Sequence, residues 1–330
     1  LSDIHGQSVV SCEIVANNKL YQQNDKWYRE IIIKTNQDSS CSLDYEPGDH
    51  IGVFPANNPE LVNGILPRLK NIANSDTPIQ IMVQTQTGNQ SDWKPHPRLP
   101  VASIRTLLSR YLDITSPPSQ ALLQLMADAA SENNQAGRLQ YLAKNESEYR
   151  QWKQWNRPNL LEVLKEFPSV RMDVGVMLCR LPLLLPRLYS ISSSPLQQFG
   201  HLTLTVASFS FKTRGGKGPV HQGVCTSYLK SLRAGDTIEI FHKSAQEFHL
   251  PDAEKAVPIL LLGAGSGVAP LRGFWQHCYH KGMPCDMTLY YGCQTRASDL
   301  YADEKVNMCK AKVLTEAYLA LSKDPKIPKV

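Results

Sequence analysis

VPILLLGAGSGVAP, residues 257–270, carries an apolar run into a glycine-rich turn and out toward Phe274 and Trp275. A short continuous apolar run bounded by glycines reads as a buried strand, and the apolar segment behind it as a helix. A second strand-like run, residues 287–291, begins thirty residues after the first. That is the span of one strand–helix–strand unit, so this part of the chain is α/β.

Within the unit, Gly263, Gly265 and Gly267 let a backbone approach an anion, and Ser266 adds a hydroxyl. The spacing is GxGxG and not GxGxxG, so the segment reads equally as a phosphate loop or as a tight strand-to-helix turn. An NAD site would place a carboxylate at the end of the second strand. Here that strand runs into Gly292-Cys293-Gln294-Thr295-Arg296. A guanidinium without a carboxylate favours a 2′-phosphate, hence NADPH, unless Arg296 is a solvated loop residue.

Working outward, RLYSISSSP, residues 187–195, places Arg187 and Tyr189 on one face of a strand and Ser190 on the other. That face suits a flat, phosphate-bearing ligand, and the plain alternative is a serine-rich loop beside a strand. Gly223-Val224-Cys225-Thr226-Ser227 precedes a short apolar helix and marks a second phosphate position. Two anion sites here and one in the α/β segment suggest two nucleotide-bearing cofactors.

The remainder is organised by texture. Residues 8–53 hold short β-branched runs around the turn Tyr45-Glu46-Pro47-Gly48-Asp49 and read as antiparallel strands. Residues 55–181 carry apolar positions three and four apart, as at Leu61 and Ile65, and read as mostly helical. Thr115-Ser116-Pro117-Pro118 reads as a helix stop, and Asn159 followed by Glu162 as a helix start. Strands return after Pro186, where Leu202, Leu204 and Val206 alternate with His201, Thr203 and Thr205.

Composition excludes several classes. At 330 residues the chain holds about two domains. Hydrophobic residues at 42% and charged residues at 20% are globular usage and exclude disorder and fibres. The apolar run 256–271 is too short, and too broken by glycine and proline, to span a bilayer. A net charge of +5 without like-charge runs gives no sign of nucleic acid. Eight cysteines without a CxxC pair read as free thiols in a reducing, cytoplasmic setting. The histidines 221, 242, 249, 277 and 280 show no metal spacing, so no metal site is expected. The chain opens at Leu1 without a leader pattern and reads as a piece of a longer protein.

Taken as a set and in order, YEPGDHIGVFPANNPELVNGIL, YLDITSPP, RLYSISSSP, HLTLTV, GPVHQGVCTSYL, FHLP and GAGSGVAPLRGFWQ resemble the FAD/NADPH reductase half of the diflavin reductases, most closely the nitric oxide synthases. The resemblance covers essentially the whole chain. It implies an α+β multidomain fold: an antiparallel FAD-binding β-barrel with an inserted helical connecting subdomain, then a doubly wound α/β NADPH-binding lobe, truncated here. The expected divisions are residues 1–56 and 182–252 for the barrel, 57–181 for the connecting subdomain and 253–330 for the NADPH lobe.

The resemblance also implies site residues. Arg187 meets the FAD phosphates, Tyr189 contacts the flavin and Ser190 lies near the ring nitrogen that accepts hydride. Val224, Cys225 and Thr226 match the pyrophosphate segment, and His50, Thr203 and Thr205 match further FAD contacts. Ser266, among Gly263, Gly265 and Gly267, matches the NADPH phosphate loop, and Cys293 the cysteine beside the nicotinamide. Ser322 and Lys323 match a Ser-Arg pair for the 2′-phosphate, with Lys329 nearby. Gln294 stands where the family has Arg, unless Arg296 substitutes, and Arg29 is the candidate for a further NADPH contact. The chain stops before the family's catalytic Asp and flavin-stacking aromatic.

For the full-length protein the resemblance implies FMN, haem and tetrahydrobiopterin, an FMN flavodoxin-like domain, a haem oxygenase domain, calmodulin bound upstream and a homodimer. The basic residues Arg138, Lys144, Arg150 and Lys153 form a solvated face or a dock for an acidic flavodoxin-like partner. A P450-reductase-like diflavin reductase and a non-catalytic flavin-holding module are the alternatives.

Overall fold

The computed structural model describes residues 1–35, 43–87, 90–251, 257–283 and 286–323. They fall into two compact units, one of Leu1–Gly6, Phe54–Leu185 and Ser210–Tyr228, the other of Gln7–Val53, Pro186–Phe209 and Leu229 onward. Residues 210–228, which the sequence reading groups with the second barrel segment, belong to the helical unit. Residues from 257 onward share a unit with the barrel.

The helical unit contains α1 (Pro59–Ile65), α2 (Gln120–Asp128), α3 (Asn133–Lys144), α4 (Glu146–Asn156), α5 (Leu160–Glu166), α6 (Val174–Arg180) and the start of α7 (Val224–Ser231). It also contains a hairpin, Met82–Thr87 with Gln90–Pro95, that the helical texture did not announce. Periodic leucines place Leu107, Leu108, Leu123, Leu139, Leu142 and Leu160 in one core at 0% exposure. Each such side chain contributes about 1.5–3 kcal/mol relative to exposure.

Caps follow the sequence where they are local. Asn159 and Glu162 form a capping box at the start of α5, with both bonds at 2.9 Å. The helix expected to stop at residues 115–118 ends earlier, at Tyr111. The Asp113 carboxylate collects the N–H groups of Thr115 and Ser116 and turns the chain there. Trp152 is buried, whereas Trp155 is 57% exposed and lies off the core.

Asn57 is fully enclosed, and its amide donates to Leu108 O and Leu112 O, both at 2.7 Å. Asn57→Ala leaves both carbonyls unpaired. The expected loss is about 2 kcal/mol, read from urea unfolding.

In the other unit, β1 (Val10–Gln23), β2 (Lys26–Lys34), β3 (His50–Val53), β4 (Arg187–Ser190), β5 (His201–Ala207) and β6 (Thr237–Lys243) form one antiparallel sheet in the order β4-β3-β6-β1-β2-β5. A bridge between Ile191 and Leu204 joins the two ends and closes the sheet into a barrel. Ile14, Ile31, Ile33, Ile51, Leu204 and Ile240 are fully buried in it. The alternation in β5 predicts one solvated face, yet Thr203 and Thr205 are also buried. Thr205 Oγ1 meets Tyr301 Oη at 2.7 Å, so the outer face of β5 is covered from within the same unit. The turn before β3 requires its glycine: Gly48 has φ +108°, and a Cβ there would meet Phe248 O at 2.2 Å.

The same unit holds a parallel sheet, β7 (Ile259–Ala264), β8 (Met287–Cys293) and β9 (Leu314–Leu321), with crossovers α8 (Val268–Lys281) and α9 (Ala302–Lys310). Leu261, Leu289 and Leu314 pack with Phe274, Trp275 and Met308 on one face. The apolar run in β7 predicts a strand buried on both faces. Leu260 and Leu262 are instead 60% and 67% exposed, because the helices gather on the face of Leu261. No helix among the described residues is long and apolar enough to cross a membrane.

Candidate active site

β4 pairs with β3 in the register Arg187 to Val53, Tyr189 to Ile51 and Ser190 to His50. Directly opposed residues share a face, so Arg187 lies with Tyr189, and Ser190 lies with His50. Arg187 is exposed and has no carboxylate partner among the described residues, while Tyr189 and Ser190 are half-buried. An uncompensated guanidinium beside a half-buried ring fits a planar ligand that carries phosphate. Burial, helped by the Lys243 ammonium, holds the His50 imidazole below its ordinary value against the pull of Asp49. His50 is therefore neutral at pH 7.

Beneath this pair lies a cluster that the sequence reading missed. The buried Asp49 carboxylate accepts from His242 Nε2 at 2.8 Å, His249 Nε2 at 2.7 Å, and the N–H groups of Glu46 at 3.0 Å and Ala245 at 2.8 Å. Burial works against its ionisation. The donors, Glu46 N–H and His249 first among them, outweigh burial and hold the carboxyl well below the usual range. The Asp49 carbonyl also accepts from Ile191 N–H at 2.9 Å, which ties the turn to the end of β4. Only the histidine of FHLP hinted at this cluster.

The serines after Ser190 are structural. Ser192 N–H and Oγ both reach Thr203 O, at 2.7 and 3.0 Å, and Ser193 Oγ accepts from Thr203 N–H at 2.9 Å. Ser194 N–H donates to Gln276 Oε1 at 3.1 Å. Thr203 and Thr205 thus serve barrel closure and the contact with Tyr301. In the helical unit, Cys225 is buried, Val224 and Thr226 are half-buried, and Thr226 Oγ1 donates back to Gly223 O at 3.1 Å. Arg29 is committed to Asn17, through Nη1 to its carbonyl and side-chain oxygens, each at 3.2 Å.

At the carboxyl ends of the parallel strands a second set of groups meets. Ala264 of β7 lies opposite Gly292 of β8, and Cys293 lies opposite Leu321 of β9. The glycine-rich turn and the GCQTR segment are therefore neighbours at the edge where α/β sheets take ligands. α8 starts without a side-chain cap. Gly265 adopts φ +53°, where a Cβ would crowd Tyr28 Oη at 2.9 Å, and its carbonyl accepts from Tyr291 Oη at 3.0 Å. Ser266 is half-exposed within the turn.

Beyond the strands, Ser322 N–H donates to Cys293 O at 2.9 Å, and Lys323 N–H donates to Gln294 O at 3.0 Å. This ladder brings Ser322 and Lys323 to the segment that holds Arg296, and all three are exposed. Lys329 lies outside the described residues. Cys293 Sγ donates to Thr295 O at 3.2 Å, and burial pushes its thiol up despite the Ser298 hydroxyl. It is a neutral thiol at pH 7 and not a nucleophile.

Two protein families match the chain. The FAD binding domain family matches residues 2–228, and the oxidoreductase NAD-binding domain matches residues 261–326. A nitric oxide synthase of Anopheles stephensi is 40% identical over 341 residues, covering 100% of this chain and 27% of that protein. A nitric oxide synthase of Drosophila melanogaster is 42% identical over 298 residues, covering 87% of this chain and 22% of that protein. An inducible nitric oxide synthase of Gallus gallus is 38% identical over 337 residues, covering 100% and 29%. The chain spans less than a third of the length of these curated relatives. A flavin domain ahead of a nicotinamide-nucleotide domain is the order in which the two sets of groups occur along the sequence, and the chain belongs to the FAD binding domain family, as an NADPH-dependent flavin oxidoreductase region similar to that of nitric oxide synthases.

Proposed function

We propose that this chain is the NADPH-oxidising part of a nitric oxide synthase, which delivers electrons through an FMN domain to the haem that converts L-arginine to nitric oxide and citrulline. The observation that carries the NADPH side is the ladder that sets Ser322 and Lys323 against Cys293 and Gln294, next to the glycine turn. When bound, NADPH and FAD would supply the two-electron chemistry, a hydride passing from NADPH to FAD and leaving NADP⁺.

The chain's own groups bind and orient. Arg187 neutralises FAD phosphate, Tyr189 offers a ring face, and Ser190, with neutral His50 beside it, presents a hydroxyl at the reacting edge. Gly263, Gly265, Ser266 and Gly267 present N–H and hydroxyl groups to NADPH phosphate. Arg296, Ser322 and Lys323 take the 2′-phosphate. The neutral Cys293 thiol would lie on the nicotinamide side, an assignment made by resemblance. Val224, Cys225 and Thr226 are assigned to the FAD pyrophosphate, and Lys329 to NADPH, by resemblance alone. For the whole protein the same reading includes tetrahydrobiopterin, calmodulin, a homodimer and a cytoplasmic location.

The test is anaerobic reduction of the FAD-loaded protein, followed by the loss of flavin absorbance with NADPH and, separately, NADH. The expected result is bleaching by NADPH at least about tenfold faster than by NADH, from the ionic contacts to the extra phosphate. Retained FAD with no bleaching by either nucleotide would leave only a flavin-holding module.

A further inference from the structure

Arg272, in the second turn of α8, is 12% exposed at its side chain and reaches three separate segments of its unit. Its Nη1 donates to Glu30 Oε1 of β2 at 3.1 Å and to Ser192 O at 3.2 Å, and its Nε donates to Glu304 Oε2 of α9 at 2.8 Å. The guanidinium also lies 4.1 Å from the centre of the Tyr301 ring.

One turn on, Gln276 makes a parallel bridge with its neutral amide. Its Oε1 accepts from Ser194 N–H at 3.1 Å, and its Nε2 donates to Glu304 Oε1 at 2.9 Å. Trp275 Nε1 adds a third donor to that carboxylate at 2.7 Å. Tyr301 itself has φ +56°, uncommon for a residue with a side chain, and its hydroxyl meets Thr205 of β5. Such a backbone persists only where its surroundings over-determine it.

The two ends of this bridge are the segments that matter for hydride transfer. Ser192 lies two residues beyond Ser190 on the flavin side. Tyr301 and Glu304 begin the helix that follows the Cys293 loop on the nicotinamide side, where Lys305 pairs with Asp299 and lies over the Tyr291 ring. We infer that Arg272, seconded by Gln276, is a positioning residue that sets the separation between the Ser190 segment and the Cys293 segment, and with it the hydride-transfer distance. The inference rests on the functional reading above.

Arg is suited to this task because its planar fork donates in fixed directions to carboxylates and a carbonyl at once and stacks on a ring. Hydride transfer is steeply sensitive to such placement, and a misplacement near 1 Å costs about 100-fold. All the contacts given above for Arg272 and Gln276 are to protein groups, so both are argued to act through the segments they bridge.

The test compares wild-type, Arg272→Gln and Arg272→Lys in the FAD-loaded holoprotein. Arg272→Gln is expected to slow flavin reduction at saturating NADPH about 10- to 100-fold per bound FAD, with NADP⁺ affinity unchanged. Arg272→Lys is expected to recover part of that rate, since it restores the charge without the fork. Amide hydrogen exchange is expected to rise together in residues 190–194 and 293–301 of Arg272→Gln. Should that variant fail to fold, Glu30→Gln, which leaves the Glu304 and Tyr301 contacts, takes its place with the same expectation. A wild-type reduction rate in the glutamine variant, or exchange that rises in one segment only, overturns the inference. A wild-type holoprotein that keeps FAD but is not reduced by NADPH sinks the functional reading instead, and the exchange comparison then decides the positioning role alone.

Discussion

Asp49→Asn is expected to destabilise the barrel unit by about 3 kcal/mol and to lower its FAD content in parallel. The carboxylate is 3% exposed at its side chain and holds four donors, two from imidazoles and two from the backbone. An amide of the same shape keeps one accepting oxygen and presents an N–H₂ toward groups that are themselves donors. The turn at Glu46, the segment at Ala245 and the two histidines then lose their common acceptor. The adjoining Asp49 carbonyl carries the loss to Ile191, and so to β4 with Arg187, Tyr189 and Ser190.

The pH dependence separates this effect from simple misfolding. Asp49 ordinarily titrates near 3.8, and its folded value lies below that. The unfolded chain therefore binds the proton more readily, and folding stability rises with pH across the interval. The contribution is fully present above the unfolded value and is lost as pH falls through the folded one. Urea midpoints of wild-type and Asp49→Asn should accordingly converge as pH is lowered below about 4. A gap that stays constant with pH would show that the ionised carboxylate is not the stabilising group.

Removing the exposed cations near the carboxyl ends of β8 and β9 is expected to change nucleotide choice and not stability. Lys323→Ala and Arg296→Ala should each weaken NADPH about tenfold, read as KM for NADPH in flavin reduction, and leave NADH unchanged. NADH lacks the phosphate that these groups would meet, so its binding does not sense the charge. Both side chains are exposed and have no carboxylate partner among the described residues, so truncation strands no buried charge. Raising salt should shrink the difference between wild-type and variants, because exposed ionic contacts are screened. Lys323→Arg is expected to tighten NADPH, since the fork matches phosphate at two points where an ammonium offers one. Equal losses for NADPH and NADH would place both residues outside the 2′-phosphate site.

What the sequence determined by itself was written in short periods. The alternation of residues 201–206, the capping box at Asn159 and Glu162, and the apolar run into GAGSG depend on neighbours within a turn or one strand. Antiparallel strands, the helical block and the strand–helix–strand unit were legible from that texture, and the barrel only from the resemblance. Motif order singled out the segments at Arg187, Cys293 and Ser322 as candidates before any geometry.

What only the tertiary structure decided were contacts between residues far apart in the chain. Asp49 meets His242 and His249 from separations of 193 and 200 residues, and Arg272 reaches back to Glu30. Strand order creates that proximity: β6 lies between β3 and β1, although it is the last of the barrel strands in the chain. A charge in sequence carries no mark of whether its partner waits across a barrel. Burial of Thr203 and Thr205 escaped the alternation for the same reason, because their cover comes from Tyr301 and the serine run. Local periodicity reports one face of one element, and only packing supplies what lies against it.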